Sequence, residues 1–267
     1  MLYVVTAVHN RKSITEKFVQ QLKAQTYTDA QLVLVDDGST DGTAAMVKEE
    51  LPNAVILQGN GNLWWGGALH KAYRWMKQAG LNCDDYVMFT NDDVVWDNNY
   101  IETALAVLKD RPKTLLTGYG VSIQTGEQVD GAVDFRFPVV FGERVNSPQA
   151  VGNCASTRSL FFRVSDWLEI GGFHPVLLPH YLSDYEWAIR AHKKGFAIYC
   201  TDQVQYGVNE ATTGYKKPSF KTIFSKRSVS NPFYKLNFAF MAAPWGKKTR
   251  SVCRQIARFA KRTIEKD

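Results

Sequence analysis

Three acidic clusters carry the side chains best suited to chemistry. Thr90-Asn91-Asp92-Asp93 follows the apolar run Tyr86-Val87-Met88-Phe89. Carboxylates placed just past a buried strand cost desolvation unless they are paired or bind a cation. Adjacent carboxylates also repel, so a divalent metal is their natural partner. Hard oxygen ligands suit Mg2+ or Mn2+, with water and substrate phosphates completing the shell. The bland alternative is a solvated turn leading into a helix over 98–108.

Asp36-Asp37-Gly38-Ser39-Thr40-Asp41-Gly42 follows a second apolar run. A carboxylate there can accept a hydrogen bond from a base edge such as a pyrimidine imide. Gly38 permits a tight turn, and the Ser/Thr/Asp run can cap the next helix. A plain Asx turn explains Ser39 to Asp41, but not two successive acids. The third cluster, Ser183-Asp184-Tyr185-Glu186-Trp187 with Arg190, opens a helix. Glu186 and Arg190 stand four apart and are expected to pair. That leaves Asp184 as the candidate reactive acid, although a carboxylate near a helix start is also ordinary for dipole reasons.

A glycine-rich stretch, Gly59-Asn60-Gly61-Asn62-Leu63-Trp64-Trp65-Gly66-Gly67-Ala68, precedes a helix expected over 67–79. Its glycines could let backbone N–H groups and the helix start approach a diphosphate. The dinucleotide pattern G-x-G-x-x-G fails, because Trp64 stands where its third glycine belongs. No phosphate-binding G-x-x-x-x-G-K-[ST] loop and no G-x-S-x-G elbow is present. The two tryptophans read equally as core or as rings stacking on a sugar or lying over a donor. Among five histidines (His9, His70, His174, His180, His192) no metal-ligand spacing occurs, and position singles out His9 and His180.

The elements that must position these groups alternate. Strands are expected over 2–8, 31–35, 54–57 and 86–89. Helices are expected after Ser13, whose S-x-x-E pattern with Glu16 opens one, then over 44–51, 67–79 and 100–108. Such alternation implies an α/β fold with a mostly parallel central sheet covered by helices on both faces. Ligands bind such sheets outside the carboxyl ends of the strands, where all the N-terminal polar clusters fall. From 114 to 163 the texture changes to short strands with turns. A helix over 184–194 and a strand over 197–201 follow.

The 267 residues, 45% hydrophobic and 22% charged, suffice for one large domain or two small ones and exclude a disordered chain. No apolar run approaches the ~18–20 residues of a membrane span. The start reads as a first strand and not as a signal peptide. Four scattered cysteines without a C-x-x-C pair argue against a zinc site or disulfides and fit a reducing cytoplasm. Charge is split: residues 1–215 carry 18 Lys+Arg and 24 Asp+Glu, whereas 216–267 carry 14 Lys+Arg and two acids. The expected division is therefore a globular domain over 1–215 and a basic, helical extension over 216–267. There Val252, Ile256, Phe259 and Ala260 mark an apolar stripe among Arg250, Arg254, Arg258, Lys261 and Arg262. Two readings stay open: a terminal helix packed on the body, or a helix lying on an anionic membrane surface.

In order along the chain, Val5 to Arg11, Leu34 to Thr43, Asn62 with Gly66-Gly67-Ala68, Thr90 to Asp93, Gly171-Gly172-Phe173 and Asp184 to Trp187 resemble the family 2 glycosyltransferases of the GT-A fold. The resemblance covers roughly residues 1–210 and is nearest to bacterial surface-glycan enzymes, including rhamnosyltransferase-like members. It implies that Thr6 and Asp37 contact the nucleotide base, with His9 and Asn10 nearby. Asn62 and Gly67 fall in its donor-binding stretch. Asp92 and Asp93 would form the metal motif for Mn2+ or Mg2+, with Asp93 the direct ligand, and Asp184 would be the catalytic base of an inverting displacement. The donor would be a nucleotide-diphospho-sugar, UDP- or dTDP-linked, and the acceptor a glycan or lipid-linked hydroxyl. The expected location is cytoplasmic, peripheral on the inner face of the membrane if the basic tail binds it. Two departures stand out: the acidic motif reads Asn-Asp-Asp instead of Asp-x-Asp, and no histidine occurs around Tyr206 to Glu210.

Rival readings are weaker. A sugar-phosphate nucleotidyltransferase should carry a glycine-rich loop after the first strand, and Ala7 to Lys12 has no glycine. A haloacid-type phosphatase needs D-x-D-x-[TV], which Asp36 to Ser39 does not supply. A non-catalytic protein whose tail holds nucleic acid finds aromatics among the basic residues but no nucleic-acid-binding motif. No nucleic-acid partner is expected.

Overall fold

The N-terminal alternation folds into strands and helices close to those expected. In the computed structural model, which describes residues 1–210, 222–226 and 228–264, β1 (Leu2–Val8), β2 (Ala30–Asp36), β3 (Val55–Gln58) and β4 (Tyr86–Thr90) are joined by α1 (Lys12–Lys23), α2 (Thr43–Glu50) and α3 (Trp64–Gln78). All three pairings in the order β3-β2-β1-β4 are parallel. Val8 pairs with Asp36, and Asp36 with Gln58. A parallel arrangement puts every carboxyl end at the same edge, so the loops after Val8, Asp36, Gln58 and Thr90 must converge. That convergence builds the site.

Beyond β5 (Val94–Val95) and α4 (Tyr100–Lys109) come the short strands: β6 (Thr114–Ser122), β7 (Gln128–Asp130), β8 (Ala132–Arg136), β9 (Phe141–Arg144), β10 (Gln149–Gly152), β11 (Cys154–Ala155) and β12 (Ser159–Arg163). β12 enters the sheet antiparallel between β4 and β6. After α5 (Val164–Ile170) and α6 (Ser183–Lys193), β13 (Ala197–Val208) pairs parallel with β6, and β10 closes that edge. β11, β8 and β9 form a separate three-stranded sheet. β13 runs seven residues past the expected Thr201, and its end pairs with β5 beside the acidic motif, Val208 opposite Val94.

Both faces of the main sheet are buried, as parallel strands require. On one, Leu2, Val4 and Val8 pack with Phe18 and Val19 of α1 and Ile101 of α4. On the other, Val5, Val33 and Phe89 pack with Ala72 of α3, Trp167 of α5 and Trp187 of α6. A smaller cluster joins Val133 and Phe135 of β8 to Ala188 and Ile189 of α6 and to Phe238 of α7 (Pro232–Ala242). The chain after residue 215 thus shares a core with what precedes it. α8 (Lys248–Ile264) packs on α7. Among its described side chains the buried ones are Ser251 and Gln255, while Ile256 is 53% exposed. The inward face is therefore turned from the expected Val252–Ile256–Phe259–Ala260 stripe. Among the described residues no helix is long and apolar enough to cross a membrane, and all four cysteines are free.

Candidate active site

Asp36 and Asp37 divide the labour at the end of β2. Asp36, buried, accepts the Ser39 N–H at 2.8 Å and closes the Asx turn. Asp37 turns the other way and accepts backbone N–H groups from Gly61 (2.9 Å), Leu63 (2.8 Å) and Trp64 (3.1 Å), which caps the start of α3. Gly59 makes this possible: a Cβ there would sit 2.5 Å from Asp37 Oδ1. A carboxylate has about four lone-pair sites, so one remains for an incoming donor. Asp37 lines a pocket of about 530 Å³ with His9, Gly61, Trp64, Trp65 and His180.

Around it the loops are stitched together. His9 Nδ1 lies 2.7 Å from the Asp37 carbonyl and donates to it, leaving Nε2 to accept from the Asn10 amide at 3.3 Å. Asn10, at φ 51°, uses its side-chain oxygen to hold the Thr40 N–H at 2.8 Å. It positions the two loops against each other. Asn62 accepts from the Trp64 indole at 3.0 Å and from Lys226 at 2.8 Å. Trp64 adopts φ 59°, which is rare for a bulky residue, and its ring lies 5.5 Å from that of His180.

Two of the residues expected at the donor are buried. Thr6 is fully buried; alternation along β1 turns it to the side of Val4 and Val8, while Ala7 lines the cleft. Its hydroxyl makes no hydrogen bond. Gly67 is buried beside Leu63 and Pro175, and neighbouring Gly66 is where α3 meets the 178–183 loop, its absent Cβ leaving room for the Leu178 carbonyl. Gly66 serves that helix contact.

The acidic motif is split as well. Asp92, 5% exposed, accepts from Arg11 Nε (3.0 Å), Arg11 Nη2 (2.8 Å) and the Thr15 hydroxyl (3.0 Å). Burial pushes its carboxyl up and Arg11 pulls it back. Asp92 thus orients Arg11. Asp93 touches Arg11 through one oxygen only, at 3.2 Å. Both acids line a cleft of about 320 Å³ together with Asp184, Arg158, Trp65 and His180.

Asp184 sits in the first turn of α6, where its carboxylate accepts the Tyr185 N–H at 2.9 Å. Burial foremost, then the nearby charge of Asp130, pushes its pKa up to about 6, with the Tyr185 N–H and Arg158 opposing. α6 is fixed from behind. Glu186 and Arg190 pair as expected at 3.0 and 3.1 Å, and Arg190 donates to the carbonyls of Ile170 and Gly172. Trp187 donates to the Gly171 carbonyl at 2.7 Å and stacks on Phe173.

Arg158 and Asp130 escape sequence reasoning. Asp130 Oδ2 accepts from Ser156 (2.7 Å) and Tyr206 (2.8 Å) and lies 3.6 Å from Arg158. The signal for Arg158 was the pairing of β12: Ser159 stands opposite Thr90, which sets Arg158 beside Asn91. Nothing local marks Asp130.

The carboxylates that line this cleft are hard oxygen donors, which suit a divalent cation that takes its other ligands from phosphates and water. Among the described residues no three His, Cys, Asp or Glu side chains form a metal cluster of their own.

Carboxyl-end loops of a parallel sheet, joined by an antiparallel strand to a second half-sheet, define the GT-A class of α/β fold. GalNAc-T7, solved with UDP, GalNAc and Mn2+, superposes with a TM-score of 0.68 at 11% identity, over 93% of this chain and 50% of that one. The glycosyl transferase family 2 model matches residues 3–167, and the chain belongs to that family. It is 27% identical over 118 residues to the N-acetylglucosaminyl-diphospho-decaprenol L-rhamnosyltransferase of Mycobacterium tuberculosis, covering 42% of this chain and 38% of that protein. It is 26% identical over 136 residues to the putative teichuronic acid biosynthesis glycosyltransferase TuaG of Bacillus subtilis, covering 49% and 51% respectively. The chain thus spans no more than about half the length of these two relatives.

Proposed function

We propose that the chain is an inverting hexosyltransferase that moves a sugar from a nucleotide-diphospho-sugar to a hydroxyl of a glycan or lipid-linked acceptor in bacterial surface-polysaccharide synthesis. The observation that carries this reading is the meeting of Asp93 and Asp184 in one cleft, next to the pocket that Asp37 lines. The remaining acceptor site on Asp37 suits a ring N–H such as that of a pyrimidine imide, and the donor is read as UDP- or dTDP-linked. The relatives' roles support the surface-glycan assignment.

Asp184 acts as general base. With a pKa near 6 it is mostly ionised at neutral pH yet more basic than an ordinary carboxylate, which favours taking the acceptor hydroxyl's proton as that oxygen attacks the anomeric carbon. The leaving diphosphate needs countercharge, so one carboxylate suffices and configuration inverts. Arg158 lies in the same cleft and offers a guanidinium to the phosphates; Arg11, held by Asp92, offers a second. Mn2+ or Mg2+ held by Asp93 would add Lewis-acid stabilisation of that diphosphate. His180 and Trp65 wall the cleft.

The basic segment after residue 215 is read as a peripheral contact with an anionic membrane. Trp245 is 87% and Phe240 60% exposed, and the Lys248 ammonium lies 5.1 and 4.8 Å from their ring centres. Aromatics interleaved with cations suit a lipid headgroup region.

Calorimetry with UDP, dTDP, GDP and CMP, each with and without Mn2+, tests the donor assignment. UDP or dTDP should bind at least ten-fold tighter than GDP, Mn2+ should tighten binding, and Asp93→Asn should remove the Mn2+ effect. Equal binding of all four nucleotides, unaffected by metal, would refute it.

A further inference from the structure

The basic extension reaches back to the donor pocket. Lys226 Nζ donates to Asn62 Oδ1 at 2.8 Å, across 164 residues of sequence. The same oxygen accepts the Trp64 indole N–H at 3.0 Å. The segment that carries Lys226 is itself fastened from behind. Asn231, 2% exposed, donates its amide to the carbonyls of Phe224 (2.9 Å) and Ser225 (3.1 Å). Its side-chain oxygen accepts the Phe233 N–H at 3.0 Å, which caps α7, and α7 shares a core with β8 and α6. A continuous line of contacts thus runs from the buried start of α7 through Lys226 and Asn62 to Trp64, one wall of the pocket that Asp37 lines.

We infer that Lys226 is a positioning residue of the donor site: through Asn62 it holds the Trp64 indole where the nucleotide base stacks. The inference rests on the reading of that pocket as the nucleotide's. Three observations converge on it. First, Trp64 needs holding. Its φ of 59° is rare for a bulky side chain, and such a conformation persists only where its surroundings over-determine it. Asp37 accepts its backbone N–H at 3.1 Å and Asn62 its indole N–H, so the carboxylate that awaits the base fixes one end of the residue and the Asn62 oxygen the other. Second, Asn62 is poorly placed to do this alone. It is exposed, on a loop whose preceding Gly61 stands at φ 81°, where water competes for its oxygen. An ammonium on that oxygen makes the contact charge-assisted and ties the loop to a second element. Third, Trp64 lines the donor pocket but not the cleft of Asp93 and Asp184. Lys226 therefore acts on the base end of the donor and not on its diphosphate.

Calorimetry on the full chain with UDP and with uridine separates this role from direct phosphate binding. Lys226→Met should weaken both ligands about five-fold, and Lys226→Arg should restore both. Asn62→Ala should weaken both at least as much, and the double variant no more than Asn62→Ala alone, because the lysine acts only through that oxygen. A loss confined to UDP would make Lys226 a phosphate ligand and overturn the inference. So would additive losses in the double variant, or undiminished binding by Lys226→Met. A second measurement needs no ligand. The Trp64 indole N–H resonance, assigned by its loss in Trp64→Phe, should exchange with solvent faster in Lys226→Met than in the unmodified protein, and an unchanged rate would equally overturn the role. Failure of the unmodified protein to bind either UDP or uridine would count against the donor reading, while the exchange rate still decides whether Lys226 holds Trp64.

Discussion

Replacing Asp184 with asparagine should make the protein more stable at neutral pH while removing its chemistry. Asparagine has the same shape and keeps an oxygen for the Tyr185 N–H, which Asp184 holds at 2.9 Å. What it removes is a charge held under burial and close to Asp130. The folded-state pKa of about 6 stands against an ordinary value of 3.8. At ~1.36 kcal/mol per pKa unit this difference is worth about 3 kcal/mol. The folded protein therefore binds the proton more tightly than the unfolded chain. The penalty for keeping the carboxylate grows as pH rises from about 4 to 6 and is complete above that. Urea unfolding of both proteins at pH 7.5 and pH 4 reads this directly. Asp184→Asn should gain about 3 kcal/mol at the higher pH and less than about 1 kcal/mol at the lower one. A variant no more stable at pH 7.5, or one with the same gain at both pH values, would refute burial as the source of the shifted pKa.

Two further outcomes follow from the geometry. Gly59→Ala should lower stability by about 1–3 kcal/mol and weaken UDP binding, because its Cβ would sit 2.5 Å from Asp37 Oδ1; thermal unfolding with and without UDP reads both effects, and an unchanged melting temperature would contradict the tight approach. The protein should sediment with anionic liposomes at low salt and dissociate at high salt. Trp245→Ser should reduce the bound fraction, and equal binding to neutral liposomes would argue against a basic-aromatic contact.

The N-terminal half of the fold was legible because parallel strands repeat a simple pattern. Buried runs such as Tyr86 to Phe89 end in polar clusters, and parallel pairing brings those ends together without further information. The pairs Asp36-Asp37 and Asp92-Asp93 stood out for that reason and Asp184 because Glu186 pairs with Arg190, while the family resemblance chose Asp37 and Asp93 within their pairs. What the pattern lacks is side-chain direction and long-range pairing. Thr6 looked like a cleft residue, but alternation along β1 turns it toward α1 and leaves Ala7 facing the cleft. Two adjacent acids looked like one metal motif, yet Asp92 is committed to Arg11 and Thr15. The stretch from Gly59 to Gly67 suggested a diphosphate, and within it Gly66 lets α3 approach the 178–183 loop. Arg158 and Asp130 come from strands whose antiparallel insertion no local signal announces. On α8, Ser251 and Gln255 face inward where a hydropathy reading favours Ile256.

The most direct test of the account is the rate of sugar transfer from a UDP- or dTDP-sugar as a function of pH, with Asp184→Asn alongside and nucleotide affinity measured on the same samples. The unmodified enzyme should rise to a plateau with a midpoint near pH 6, as the carboxyl loses its proton. The variant should bind the nucleotide normally and transfer ~10²–10⁴-fold more slowly. Transfer by Asp184→Asn at an undiminished rate would contradict the assignment of Asp184 as the proton acceptor.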